Sequence, residues 1–259
     1  MLFREKYGPW ALVAGASYGL GGAYAEALAR RGLNLVLLAR GKEQLEAAAS
    51  RLRELYRVDV ICHAVDLADY AKTRDIIAGL NVPIGLLVYN AAYAPIGLFE
   101  NTSEEQLALA AAVNVRTPLL LAKLLSVEMI RRGQGGIVLM SSLAGGQGSP
   151  RLQTYAATKA FNAVLAEGLW RELRPRGVDV IGCVAGAILT PGYRQAEKAK
   201  AAPGTLSAAR VVEHTLDALG KGPIVVPGAV NKIARFVMTR LLPRRAAIAM
   251  MDKNTGGLS

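Results

Sequence analysis

Tyr155 and Lys159, in the run YAATK, stand four positions apart and put a phenol and an ammonium on one face of any helix that holds them. A phenol titrates near 10 and exchanges protons poorly at neutrality, but a neighbouring cation favours the phenolate and draws that value down. The pair is therefore a candidate proton donor, with Lys159 as the activating cation. Ser142 lies thirteen positions upstream, at the end of the run IVLMSS, and its hydroxyl reaches the same point if the chain leaves a strand there and returns on a helix. Such a constellation polarises a carbonyl. The same two residue types also decorate solvated helix faces, so the surrounding elements decide between the two readings.

Those elements alternate regularly. Apolar runs predict strands at Trp10–Ala14, Asn34–Ala39, Asp59–Val65, Leu86–Asn90, Gly136–Ser141, Val178–Val184 and Pro223–Val226. Between them, helical patterns run near Gly19–Arg31, Lys42–Tyr56, Tyr70–Leu80, Ser103–Arg131, Thr154–Leu173 and Ser207–Leu219. Strands apolar nearly end to end, each followed by a helix, imply a parallel sheet of seven strands covered on both faces: an α/β, doubly wound single domain. Ligands of such sheets sit at the carboxyl ends of the strands where strand order reverses.

Directly after the first predicted strand comes AGASYGLG, residues 14–21, and then a helix. Glycines allow a tight turn and close approach to a pyrophosphate, and the helix N-terminus offers free N–H groups. Gly15, Ser17, Tyr18, Gly19, Leu20 and Gly21 are thus expected to bind a dinucleotide. At the end of the second strand an NAD site would carry an acid for the ribose 2′-hydroxyl. Arg40 stands there instead, with Lys42 close by, and a guanidinium fork suits a 2′-phosphate. NADP(H) is the expected cofactor.

A chain of 259 residues with 52% hydrophobic content suits one large domain. The net charge of +11 invites a nucleic-acid reading, but the stretch from Pro191 to Ser259 holds eleven Lys or Arg against four Asp or Glu, and the aromatic share is only 6%. No zinc-finger or RNP pattern accompanies that charge, and no nucleic-acid partner is expected. Only about ten residues precede the first apolar run, which leaves no room for a secretory leader, so a cytoplasmic location is expected. Cys62 and Cys183 fall inside strand-like runs and read as buried reduced thiols. His63 and His214 have no ligand-like neighbours at metal spacing, so no metal is expected.

Together these motifs resemble the short-chain dehydrogenase/reductase family, over about Trp10–Val226. The family's TGxxxGxG loop matches Gly15, Gly19 and Gly21, with Ala14 in place of Thr. Its NNAG segment appears as Tyr89, Asn90, Ala91 and Ala92, and its PGxVxT stretch as Ala185, Gly186, Ala187, Ile188, Leu189 and Thr190. The resemblance implies a Rossmann fold and a catalytic set of Asn114, Ser142, Tyr155 and Lys159. Tyr155 would donate the proton, Lys159 would depress its pKa and hold the nicotinamide ribose, Ser142 would orient the substrate oxygen, and Asn114 would support a water beside Lys159. Asp66 and Leu67 would meet the adenine. Asn90, Ala91, Gly186, Ile188 and Thr190, with Tyr155 and Lys159, would complete the cofactor site. The implied activity is NADPH-dependent carbonyl reduction, or alcohol oxidation in reverse, in a homodimer or homotetramer built on the helices at 103–131 and 154–173.

Pro118, four residues after Asn114, lacks the N–H that would pair with the Asn114 carbonyl, which is expected to be free for that water. Tyr93, Pro95, Ile96, Leu98, Leu143, Ile188, Leu189 and Tyr193 would line an apolar substrate site, favouring a hydrophobic ketone or aldehyde. Residues 190–207 read as a lid or a plain surface loop. The basic amphipathic stretch near 229–259 lies on an anionic membrane, covers the substrate mouth or forms a subunit contact. Two other functions compete: an NAD-linked alcohol dehydrogenase working oxidatively, which Arg40 disfavours, and a non-catalytic NADP-binding regulator, which would have lost a catalytic group.

Overall fold

The computed structural model describes residues 2–189 and 203–257. Its main sheet is parallel, seven-stranded and ordered β3-β2-β1-β4-β5-β6-β9. The strands are β1 (Trp10–Ala14), β2 (Asn34–Ala39), β3 (Val60–Ala64), β4 (Ile84–Tyr89), β5 (Gly135–Ser142), β6 (Val178–Ala185) and β9 (Ile224–Val225). Two short strands, β7 (Ile188–Leu189) and β8 (Leu206–Ser207), pair separately.

Successive residues of each central strand enter opposite cores, as the two-residue period of a strand requires. Ala11, Val13, Leu35 and Leu37 pack with α2 (Gly19–Arg30), α3 (Lys42–Tyr56) and α8 (Ala208–Ala218) on one face. Leu12, Ala14, Val36 and Leu38 pack with α4 (Tyr70–Ala78), α6 (Thr117–Arg132) and α7 (Gln153–Leu173) on the other. A short α1 (Phe3–Tyr7) precedes the sheet and is tied to β6 by the Tyr7 hydroxyl, which donates to Asp179 at 2.6 Å.

Strand order reverses between β1 and β4. There the amides of Asn90 and Ala91 both donate to the Ala14 carbonyl, at 3.0 and 2.9 Å, so the ends of the two strands open side by side. The crevice of a doubly wound sheet lies at this point.

The helix expected at 103–131 is divided. α5 (Glu104–Ala111) runs into a wider π turn at Ala112–Arg116 before α6 begins, and the Thr117 amide reaches back five residues to the Ala112 carbonyl. The reason is Pro118, which has no N–H to continue the regular ladder. Beyond the sheet, α9 (Ala229–Phe236), a π turn at Val237–Leu241 and α10 (Arg244–Thr255) fold back over the segment after β5. Arg244 donates to the Gly146 carbonyl at 2.7 Å, and Arg151 pairs with Asp252 at 3.0 Å. The basic C-terminal stretch thus lays its inner face beside Ser142.

Candidate functional site

Gly15 sits at φ +83°, and a Cβ on it would come within 2.8 Å of the Ala91 backbone. A Cβ on Gly21 would lie 1.8 Å from the Gly15 carbonyl, the same oxygen that accepts the Asn90 amide at 3.0 Å. These two glycines let the loop, the first turn of α2 and the end of β4 close on one another. No side chain caps the N-terminus of α2, whose first amides are left for a ligand. A cleft of about 880 Å³ opens over this loop, lined by Gly15, Ser17, Tyr18, Gly19 and Leu20, by Arg40 and Gln44, by Asp66 and Leu67, and by Asn90, Ala91 and Tyr93. Arg40 is exposed there and makes no ion pair among the described residues. Lys42 does not line the cleft. The arrangement fits a dinucleotide, with phosphates over α2 and a cationic group at the end of β2.

Gly21 therefore supports the cleft from beneath and does not line it. Gly186 likewise has a packing reason: a Cβ there would stand 2.6 Å from the Asn231 side chain. Asn231, on α9, donates to the Gly204 and Pro227 carbonyls at 3.0 and 2.9 Å, and so ties down the chain where it returns to β8. Ile188 packs at the edge of the core on the α2 side. Thr190, Tyr193 and most of the expected lid lie outside the described residues.

At the end of β5, Ser142 and the α7 residues Tyr155 and Lys159 come together. The Lys159 ammonium stands 5.5 Å from the centre of the Tyr155 ring and donates to the Met140 carbonyl at 3.0 Å. Burial holds the Lys159 pKa down to about 8, against a smaller opposing pull from Cys183. The expectation that Lys159 depresses the Tyr155 pKa is not met in this state. Burial raises the phenol's pKa, and the opposing influence is a hydrogen bond from the Ser142 hydroxyl.

Asn114 is wholly buried and acts as a clamp. Its side-chain oxygen accepts the Tyr93 amide at 2.8 Å, and its amide donates to the Tyr93 carbonyl at 2.7 Å and to the Thr158 hydroxyl at 3.0 Å. The Asn114 carbonyl, expected to be unpaired, accepts from Asn162 at 3.1 Å. Pro118 did release that oxygen, but a side chain of α7 takes it up. Sequence reasoning missed Thr158 and Asn162, although Asn162 lies three residues after Lys159 and so on the same helix face.

The expected substrate wall divides. Tyr93 lines the nucleotide cleft, Pro95 is buried, and Ile96 and Leu98 are about half exposed. Leu143 borders a second, smaller cavity that also touches Ser142. Cys183 is buried as expected, whereas Cys62 is half-buried; neither forms a disulfide.

A family model described as short chain dehydrogenase matches residues 9–201. The 7beta-hydroxysteroid dehydrogenase of Clostridium sardiniense is 31% identical over 256 residues, 98% of each chain. A structure solved for insight into 7beta-hydroxysteroid dehydrogenase stereoselectivity superposes with a TM-score of 0.91 at 28% identity, covering 97% of this chain and 99% of that one. A short-chain dehydrogenase from Sphingobium yanoikuyae in complex with NADPH gives 0.78 at 29% identity, over 91% and 96%.

Proposed function

Because this chain belongs to the short-chain dehydrogenase family, we propose that it is an NADPH-dependent reductase of a bulky apolar ketone, of the size of a steroid ring system, and oxidises the matching alcohol in reverse. The observation that carries this reading is the meeting of Ser142, Tyr155 and Lys159 at the carboxyl end of β5. The bound dinucleotide supplies or accepts the hydride. Tyr155 then delivers its phenolic proton to the oxygen that gains charge, Ser142 holds that oxygen by a second hydrogen bond, and the buried Lys159 ammonium stabilises the phenolate left behind. Asn114 positions α7 by pinning Thr158 and the Tyr93 loop. Gly15, Ser17, Tyr18, Gly19 and Leu20 would bind the phosphates, Asp66 and Leu67 the adenine, Asn90 and Ala91 the far side of the cleft, and Arg40 the 2′-phosphate that distinguishes NADP(H).

Tyr155→Phe is the test. Turnover should fall at least about a hundredfold while NADPH still binds, because only the proton transfer is lost. A Phe variant of full activity would sink the assignment. Fluorescence titration with both nucleotides decides between this reading and an NAD-linked dehydrogenase. A panel of ketones that leaves NADPH unconsumed would favour the non-catalytic regulator.

Two surfaces extend the reading to partners. Leu119 and Val127 on α6 and Val164 on α7 are exposed, as suits a homodimer or homotetramer joined through these helices. The outward face of α9 carries Val230, Ile233 and Phe236, all more than half exposed at 53, 64 and 55%, with Lys232 and Arg240 nearby. An apolar strip beside cations suits peripheral contact with an anionic lipid surface, the place where a lipophilic ketone resides. The two unpaired thiols suit the reducing cytoplasm.

A further inference from the structure

Tyr155, Lys159 and Asn162 stand at i, i+4 and i+7 along α7, so Asn162 continues the stripe of the other two one turn further along the helix. It is only 2% exposed. Its side-chain amide donates to the Asn114 carbonyl, the oxygen that Pro118 released, and so pins α7 to the π turn at Ala112–Arg116. Single π turns inside helices recur at functional sites. The Oδ1 of Asn162 is enclosed and accepts no hydrogen bond from any group among the described residues. The Oε1 of Gln153 shares that condition, but Gln153 stands two residues before Tyr155 and so on another face of the helix. A buried carboxamide oxygen is costly to leave without a donor. Lys159 has three N–H donors and gives one to the Met140 carbonyl.

We propose that Asn162 is a positioning residue for the reaction: its Oδ1 accepts from the Lys159 ammonium through one internal water and keeps that group charged beside Tyr155, while its amide holds the π turn. The inference rests on the reductase reading above and adds to it what supports the lysine. A water bridging two enclosed polar groups binds nearly as well as a direct contact. A hydrogen bond to the charged form favours that form, so it opposes the burial that brings Lys159 down to about 8. The elements packed around Lys159 offer little else to do so. β5 carries no titratable side chain. β6 presents Cys183, whose thiol burial pushes up to about 12 and so keeps neutral at working pH, while its Asp179 is taken by Tyr7 and Lys6. On the π turn Arg116 bonds the Ala68 carbonyl, and in α5 Glu104 and Glu105 are exposed. The titratable groups beside Lys159 are thus Cys183 and the Tyr155 phenol.

The experiment follows the titration of Lys159 by carbon NMR on the full chain labelled at lysine Cε, with Lys159→Arg assigning the signal, and in parallel the alkaline limb of keto-steroid reduction by NADPH. Asn162→Leu, close to Asn in volume, should lower the Lys159 midpoint by at least about one pH unit, because the acceptor is gone. Asn162→Asp should raise it by at least about half a unit, because a carboxylate favours the ammonium. Asn162→Thr, whose hydroxyl keeps an acceptor, should fall between Asn162→Leu and the unaltered chain. A merely structural role would lower turnover in all three and move no midpoint. An unmoved midpoint in Asn162→Leu, or shifts of the same sign in Asn162→Leu and Asn162→Asp, would overturn the proposal. If Asn162→Leu does not fold, Asn162→Asp decides alone: a raised midpoint supports the contact, and an unmoved or lowered one ends it. If no ketone is reduced, the reductase reading fails separately, and the NMR midpoints, which need no turnover, still decide the role of Asn162.

Discussion

The Lys159 ammonium faces the Tyr155 ring from 5.5 Å, but its hydrogen bond goes to the Met140 carbonyl, so in this state the two groups are neighbours without a direct proton contact. Lys159 is buried and Tyr155 partly buried, and burial pushes each toward its neutral form: the phenol's pKa rises, and the ammonium's falls to about 8. The charged lysine is the form that stabilises a phenolate, and its share declines as pH climbs through that value. Turnover should therefore drop on the alkaline side with a midpoint near pH 8. Lys159→Arg keeps its proton at any working pH, so whatever activity it retains should lack that limb. A limb left in place by the arginine would assign it to another group.

The same burial has a consequence for stability. The folded pKa of Lys159, about 8, lies below the 10.5 of an exposed lysine, so the folded chain sheds this proton first. The cost of burying the charge is present in full below pH 8 and is relieved as pH rises from about 8 toward 10.5. Lys159→Met should accordingly be inactive yet more stable at pH 7, by roughly 1–3 kcal/mol, with the lost Met140 hydrogen bond offsetting part of the gain. Urea unfolding at pH 7 and 9.5 reads both parts: the unaltered chain should gain stability between these values and the variant should gain less. A variant destabilised at pH 7 would contradict this account.

Sequence and structure agree best where periodicity is strong, and part where long-range contacts decide. β1, β2 and β6 stand out as apolar runs whose alternate residues feed two cores. β4 reads as starting at Leu86 because Gly85 breaks the run, but a Cβ at Gly85 would meet the Tyr7 carbonyl at 2.4 Å, so α1 is what requires the glycine. Pro118 was a visible signal that the 103–131 helix departs from regularity, but the answering donor, Asn162, is 48 residues away from Asn114 and no local pattern announces it. The direction of the Tyr155 shift escapes the sequence for a related reason: spacing shows that a cation is near, and only the packed chain shows that Lys159 is buried and the phenol partly so.

Arg40 offers a clean separation of binding from folding. It is exposed, lines the nucleotide cleft and makes no ion pair among the described residues, so replacing it should leave the melting temperature unchanged. Arg40→Glu removes a charge-assisted contact to a 2′-phosphate and sets an acid where a ribose 2′-hydroxyl could bond to it. NADPH affinity should weaken by about ten- to a hundredfold while NADH affinity holds or improves. Fluorescence titration of both nucleotides against both chains checks it, and parallel weakening of the two would mean that Arg40 does not read the phosphate.

The outward strip of α9 is testable in the same manner. Ile233 and Phe236 are solvent-facing, so Ile233→Glu with Phe236→Glu should cost little stability. If the strip docks on an anionic bilayer, the unaltered chain should float with vesicles containing phosphatidylserine and not with phosphatidylcholine alone. The double variant should lose at least about fivefold of the floated fraction, and raised salt should weaken binding, because part of the attraction comes from Lys232 and Arg240 acting through a screened surface potential. A chain that floats with neither vesicle, and whose sedimentation shifts to a smaller species in the double variant, would reassign this face to contact between copies of the protein.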